Sequence, residues 1–172
     1  MTTNLVLTVI ADDKPGLVES LSQTIASNSG NWLESSMSRL AGKFAGILRV
    51  SVADEQVDTL IAELNGLSAQ IKLVIERATD EEASQQSRTV ELRLVGNDRP
   101  GIIKEISAAV SALGINVERL NTECTPAPMS AEPLFKADAI LNVPEGVALE
   151  NLRERLERLA DDLIVEIEVD VR

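Results

Sequence analysis

Asp12-Asp13-Lys14-Pro15-Gly16 decides how this chain is read, because the pattern returns 85 residues later as Asn97-Asp98-Arg99-Pro100-Gly101. Each copy follows a β-branched, leucine-rich run, Leu5 to Ile10 or Val90 to Val95. Each precedes apolar residues at helical spacing. Strand, tight polar turn and helix N-terminus therefore occur twice in the same order. The residue types suit that position. An aspartate is expected to cap free backbone N–H groups at the helix start. Proline loses no hydrogen bond in a first helical turn. Glycine leaves the backbone open to close approach. Exposed N–H groups at a helix N-terminus also make a site for a carboxylate.

Working outward from the first copy, residues 4–10 read as a strand. Leu17, Val18, Leu21 and Ile25 then mark one face of a helix from Pro15 to Ser29. Gly30 is expected to end it in the left-handed conformation. Trp32 to Leu40 reads as a strand with partial alternation. Ala41-Gly42-Lys43 reads as a hairpin turn, and Phe44 to Val52 as a clearly alternating strand. Asp54 is expected to cap a helix carrying Val57, Leu60, Ile61 and Leu64, which Asn65-Gly66 ends. Ile71, Leu73 and Ile75 give a last strand. The order is βαββαβ.

The polar, acidic stretch 78–88 reads as a linker. It separates a first domain, 1–77, from a second, 89–172. The second repeats the order. Strand 89–96 leads to a helix from Pro100, with Ile102, Ile103, Ile106, Val110 and Leu113 as its buried face and Gly114 as its end. A strand from Asn116 runs through Val117 and Leu120 towards Thr125. Residues 126–133 hold three prolines, which are expected to forbid pairing and leave an exposed loop suited to a partner or oligomer contact. Strand 135–143 follows. Pro144 and Glu145 are expected to open a helix with Leu149, Leu152, Leu156 and Leu159 buried, its charged residues forming a solvated face. Leu163 to Val171 is the final strand. The fold class is α+β: two ferredoxin-like βαββαβ domains, each a four-stranded antiparallel sheet with two helices on one face. The opposite face must be charged or covered.

Composition narrows the chemistry. The chain has 172 residues, 44% of them hydrophobic, which supports packed cores. Its net charge is −12, shared evenly: 6 basic against 12 acidic side chains in residues 1–86, and 10 against 16 in residues 87–172. No basic patch stands out, so direct nucleic-acid binding would work against phosphate repulsion. Aromatics are 2% with no tyrosine, too few for base stacking. Histidine is absent and Cys124 is the single cysteine, which excludes His-ligated metals, cysteine clusters and Ser–His or Cys–His dyads. No catalytic residue, metal site or cofactor is expected, and the protein is not expected to be an enzyme. Cys124 is expected to be a buried small apolar side chain. A lone cysteine suits a reducing compartment, and no signal peptide or membrane-spanning run is visible, so the expected location is the cytoplasm.

The two turns, each within βαββαβ and each followed by an asparagine that opens the second strand (Asn31 and Asn116), resemble the ACT domain. The likeness covers nearly the whole chain as two copies. The stretch from Gly30 to Gly46 is similar, more narrowly, to the family of glycine cleavage system transcriptional repressors. The resemblance implies a regulatory module rather than a catalyst, with a small amino acid bound where two copies meet. Carried over by position, the ligand-binding residues are Asp13, Gly16 and Asn31 in the first copy, and Asp98, Gly101 and Asn116 in the second. Backbone N–H groups would hold the ligand carboxylate, while the aspartates or asparagine amide oxygens accept from its ammonium. The resemblance further implies a repressor without its own DNA-binding domain, acting on a DNA-bound activator protein, with glycine as the effector and a homo-oligomer compatible with it. The alternative is a ligand-independent dimerisation module built from the same domains.

Overall fold

The computed structural model describes residues 1–79, 86–129 and 132–169. The chain divides into two compact units, Met1–Glu81 and Glu82–Arg172.

In the first unit, β1 (Thr2–Asp12) leads through the repeated turn into α1 (Leu17–Ser27). The hairpin of β2 (Asn31–Leu40) and β3 (Lys43–Ala53) follows, then a 3-10 turn at Asp54–Gln56, α2 (Val57–Asn65) and β4 (Lys72–Arg77). All pairings are antiparallel and the sheet order is β2-β3-β1-β4. Leu5, Leu7 and Val9 alternate on β1 with Leu48, Val50 and Val52 on β3, all buried. Onto that face α1 lays Leu17, Leu21 and Ile25, and α2 lays Val57, Leu60 and Leu64. Each such side chain contributes about 1.5–3 kcal/mol on burial. Asn28, a buried polar residue, ties the two helices together. Its Nδ2 donates to the Thr24 carbonyl at 2.9 Å and to Glu63 Oε2 at 2.6 Å.

The second unit repeats this with β5 (Ser87–Asn97), α3 (Ile102–Ala112), β6 (Asn116–Pro126), β7 (Pro133–Pro144), α4 (Leu149–Glu157) and β8 (Ile164–Val169). Its sheet order is β6-β7-β5-β8. The buried residues of α3, Ile102, Ile106 and Val110, stand 85 positions after those of α1. Both units are thus α+β, with a four-stranded antiparallel sheet and helices on one face.

Several local expectations change. No side chain caps α1 or α3; the N-cap residues are Gly16 and Gly101, at φ of +90° and +86°. Pro15 and Pro100 lie before the helices. Asp54 does not cap α2 either, because its Oδ1 accepts from the Thr3 hydroxyl at 2.7 Å. Ser29, not Gly30, takes the left-handed conformation after α1, at φ 58°; Gly114 does so 85 positions later, at φ 70°. Gly30 is small for a steric reason, since a Cβ there would meet Ile25 Cγ2 at 2.8 Å. The first hairpin closes on two residues, Ala41 and Gly42, at φ of 50° and 78°, the positive pair of a type I′ turn. Lys43 already belongs to β3.

A bulge shifts the register between Trp32 and Glu34, and another between Val117 and Arg119, which accounts for the weak alternation of β2. Pro126 and Pro133 close the β6–β7 ladder opposite each other. Proline is tolerated there because β6 is an edge strand and Pro133 opens β7. The proline-rich connection is correspondingly shorter, and Ser130 and Ala131 lie outside the described residues. Pro144 ends β7, and α4 starts only at Leu149. Arg153 on α4 is not merely solvated, because its Nη1 donates to the Val165 carbonyl at 2.7 Å. Ser87 and Arg88, assigned to the linker from sequence, lie in β5; linker positions 80–85 and the last residues, 170–172, are outside the described residues.

Candidate ligand-binding turns

Each repeated turn is pinned from behind by the hairpin that follows it. The Asp13 N–H donates to the Gly42 carbonyl and the Asp98 N–H to the Pro133 carbonyl, both at 3.0 Å. The chain can then reverse into the helix because Gly16 and Gly101 adopt positive φ, a conformation that costs an L-residue energy. Among the described residues, no atom beyond the adjoining backbone stands within 4 Å of where a Cβ would project from either glycine. The first turns of α1 and α3 carry no side-chain cap, although the Ile102 N–H already donates to the Arg99 carbonyl at 3.3 Å, and their other N–H groups are of the kind that suits a carboxylate.

The aspartates differ between the copies. Asp13 forms an ion pair with Arg39 Nε at 2.7 Å. Asp12 pairs with Lys43, whose hydrogen bond and then whose charge hold the Asp12 carboxyl below its usual range. In the second unit, the residue matching Arg39 is Cys124: Arg39 lies opposite Phe44, and Cys124 opposite Phe135. Cys124 is exposed, contrary to the expectation of a buried thiol, because it lies on an edge strand. Desolvation, and then its hydrogen bond to the Asp98 carboxylate, push that thiol up. Among the described residues Asp98 has no ion-pair partner. Arg99 beside it turns to Glu105 and to the Leu159 carbonyl instead.

A second contrast lies on the opposite side of the turn. In the first unit, a polar cleft of about 540 Å³ opens between Asp12, Pro15, Gly16, Ser20 and Gln70. In the second, Asp162 stands where Gln70 does, and its Oδ2 accepts from the Asn97 N–H at 2.6 Å. The first turn is thus open on this side but has its Asp13 neutralised. The second is braced here, and among the described residues no cation pairs with Asp98.

The asparagines are elsewhere. Asn31 pairs with Ser51, which pairs with Asn4 near the start of β1, whereas Asp13 follows the end of β1. The reason is that α1 runs back along the sheet before β2 begins. About eight residues of strand, roughly 25 Å, separate the level of Asn31 from the turn. Asn116, opposite Asn142, is equally remote from Asp98. Within each unit the structure brings Asp and Gly together and leaves Asn at the far end of the sheet. Sequence reading missed Arg39 and Cys124 as neighbours of the turn; their matching places 85 residues apart were the available signal.

The ACT domain family matches residues 3–77 and again residues 84–166. The chain is 22% identical over 170 residues to the glycine cleavage system transcriptional repressor of Escherichia coli (strain K12), covering 97% of this chain and 89% of that one. A crystal structure of an unknown protein from Galdieria sulphuraria superposes with a TM-score of 0.85 at 27% identity, covering 99% of this chain and 100% of that chain. A candidate glycine cleavage system transcriptional repressor of known structure superposes at 0.69 with 16% identity, over 99% of each chain. This chain belongs to the ACT-domain family, as a tandem pair of ACT domains similar to that repressor.

Proposed function

We propose that this chain is a cytoplasmic, amino-acid-responsive regulator that acts by contacting another protein. The observation that carries the reading is the pair of glycine-led helix starts without a side-chain cap, each with an aspartate close by in the turn. A free amino acid has the two charges such a turn accommodates: a carboxylate for the N–H groups and an ammonium for the aspartate. Asp13, Gly16, Asp98 and Gly101 are the proposed anchors. Asn31 and Asn116 lie too far from the turn of their own unit to join it, so they are proposed to meet ligand only where a second copy of the domain supplies them. Similarity to the E. coli repressor supports glycine cleavage genes as the target, and glycine is the effector proposed with them.

The net charge of −12 favours a protein partner, here a DNA-bound activator, over DNA itself. An effector that binds one conformation better would shift the affinity for that partner. Calorimetric titration of the folded chain with glycine and the other standard amino acids tests the sensor claim, and silence with all of them removes it. In a gel shift at physiological salt the chain alone leaves operator DNA unretarded and alters the activator–DNA complex; strong retardation by the chain alone would refute indirect action. The Arg39–Asp13 pair favours a second reading for the first unit, in which its turn is structural and the module dimerises without ligand.

A further inference from the structure

The helices cover one face of each sheet, and the two outer faces differ in kind. Across the middle of the second unit's outer face the register aligns Asn121, Asp138, Arg93 and Glu166. Arg93 binds Glu91 at 2.9 Å and Asp138 at 3.5 Å, which makes this a solvated, ion-paired surface. The matching row of the first unit is Ser36, Ile47, Thr8 and Val74. Ile47 is 54% exposed, Val74 59%, and Ile10 in the next row 43%. A β-branched sheet face of this kind ordinarily packs against another sheet.

We infer that this outer face of the first unit is a two-fold surface that binds the same face of a second copy of the chain, sheet against sheet. Charge selects that occupant. One flanking row holds Glu34, Arg49, Val6 and Glu76, and the other Ser38, Ala45, Ile10 and Lys72. A two-fold axis between the sheets, perpendicular to the strands and crossing the central row, lays Ile47, Thr8 and Val74 on their own counterparts and exchanges the flanking rows. Lys72 of each copy then faces Glu76 of the other. Arg49 already carries Glu34 at 2.9 Å on its own sheet. The face is therefore neutral and self-complementary, although the chain as a whole carries −12. The area is sufficient. Nine residues on each of three strands and the six of β4, at about 4.8 Å by 3.3 Å each, cover roughly 520 Å² per copy. About 1,050 Å² in total falls just above the threshold of about 1,000 Å² for specific pairs. This inference stands independently of the effector reading.

Sedimentation equilibrium of the full chain tests it. The wild type should approach twice 18.5 kDa with rising concentration. Ile47→Asp combined with Val74→Glu should remain at the monomer mass; both residues are those that the second unit carries at the matching places, so the fold accepts them. Glu76→Lys alone should weaken the dimer about tenfold or more, by opposing Lys72 with a like charge. Lys72→Glu added to Glu76→Lys should restore it, a rescue that altered folding would not produce. A wild type that stays monomeric, an Ile47→Asp/Val74→Glu variant that still dimerises, or a charge exchange that restores nothing would each overturn the assignment.

Discussion

Replacing Gly16 with alanine separates the two reasons a glycine can occupy a turn. The residue sits at φ +90°, and a Cβ there would find nothing within 4 Å. The cost is therefore backbone strain alone, about 1–2 kcal/mol for an L-residue in the left-handed region. Asparagine visits that region more readily, so Gly16→Asn should be milder than Gly16→Ala. Gly30 should show the opposite order. Its φ is not positive, but a Cβ would press on the Ile25 carbonyl at 2.9 Å and on Cγ2 at 2.8 Å, and a larger side chain makes this worse. Trp32 is the chain's single tryptophan and packs against the first core, so its fluorescence reports this unit directly. In urea the Trp32 transition should move to lower denaturant for Gly16→Ala with an unchanged slope. In heat it should fall by about 4–16 °C, given roughly 4–8 °C per kcal/mol for a unit of this size. If Gly16→Asn proved as damaging as Gly16→Ala, the positive φ would not be what the turn requires.

Further outcomes follow from the same contacts. Asp98→Asn should weaken effector binding about tenfold or more by calorimetry, since a charge-assisted hydrogen bond contributes about 1.5–3 kcal/mol, while Asp13→Asn should cost less because Arg39 already neutralises that carboxylate. Asp98→Asn should also speed disulfide exchange at Cys124 at a fixed mildly alkaline pH, because the carboxylate that opposes thiolate formation is gone; an unchanged rate would break the link between these residues. Lys43→Met should raise the Asp12 titration midpoint in carboxyl NMR. The Asp12–Lys43 pair stabilises the fold above the usual carboxylate range and loses that contribution as pH falls through the depressed Asp12 value, so the variant should lose pH dependence only on the acid side. Asn28→Ala should destabilise the first unit by about 1–3 kcal/mol, read from Trp32, because Glu63 and the Thr24 carbonyl both lose their donor.

The strand–turn–helix repeat was legible because its cause is local: apolar spacing, a glycine at the reversal and an 85-residue offset that reappears in Leu17 and Ile102, Leu21 and Ile106, Ile25 and Val110. What the turns bind was not legible, because it depends on the returning hairpin. Arg39 reaches Asp13 only after β2 has crossed the sheet, and Cys124 stands in its place beside Asp98. Helix capping was misread for a related reason. Asp13, Asp54 and Asp98 are good capping residues in isolation, yet each has found a partner elsewhere or leaves the cap to a neighbour. The resemblance grouped the asparagines with the turn, but α1 and α3 return the chain to the opposite end of the sheet. Pro126 and Pro133 read as breakers, yet the end of an edge hairpin accommodates both.

The central claim is that an amino acid is held at the glycine-led helix starts. Nitrogen–proton correlation NMR of the labelled chain during a glycine titration tests it most directly, since every amide is followed at once. The amides of Gly16, Leu17, Gly101 and Ile102 should shift in a saturable manner, those of the second turn more strongly because Arg39 occupies Asp13 in the first. Saturable shifts confined to other surfaces, or none from glycine or any other amino acid, would contradict the account.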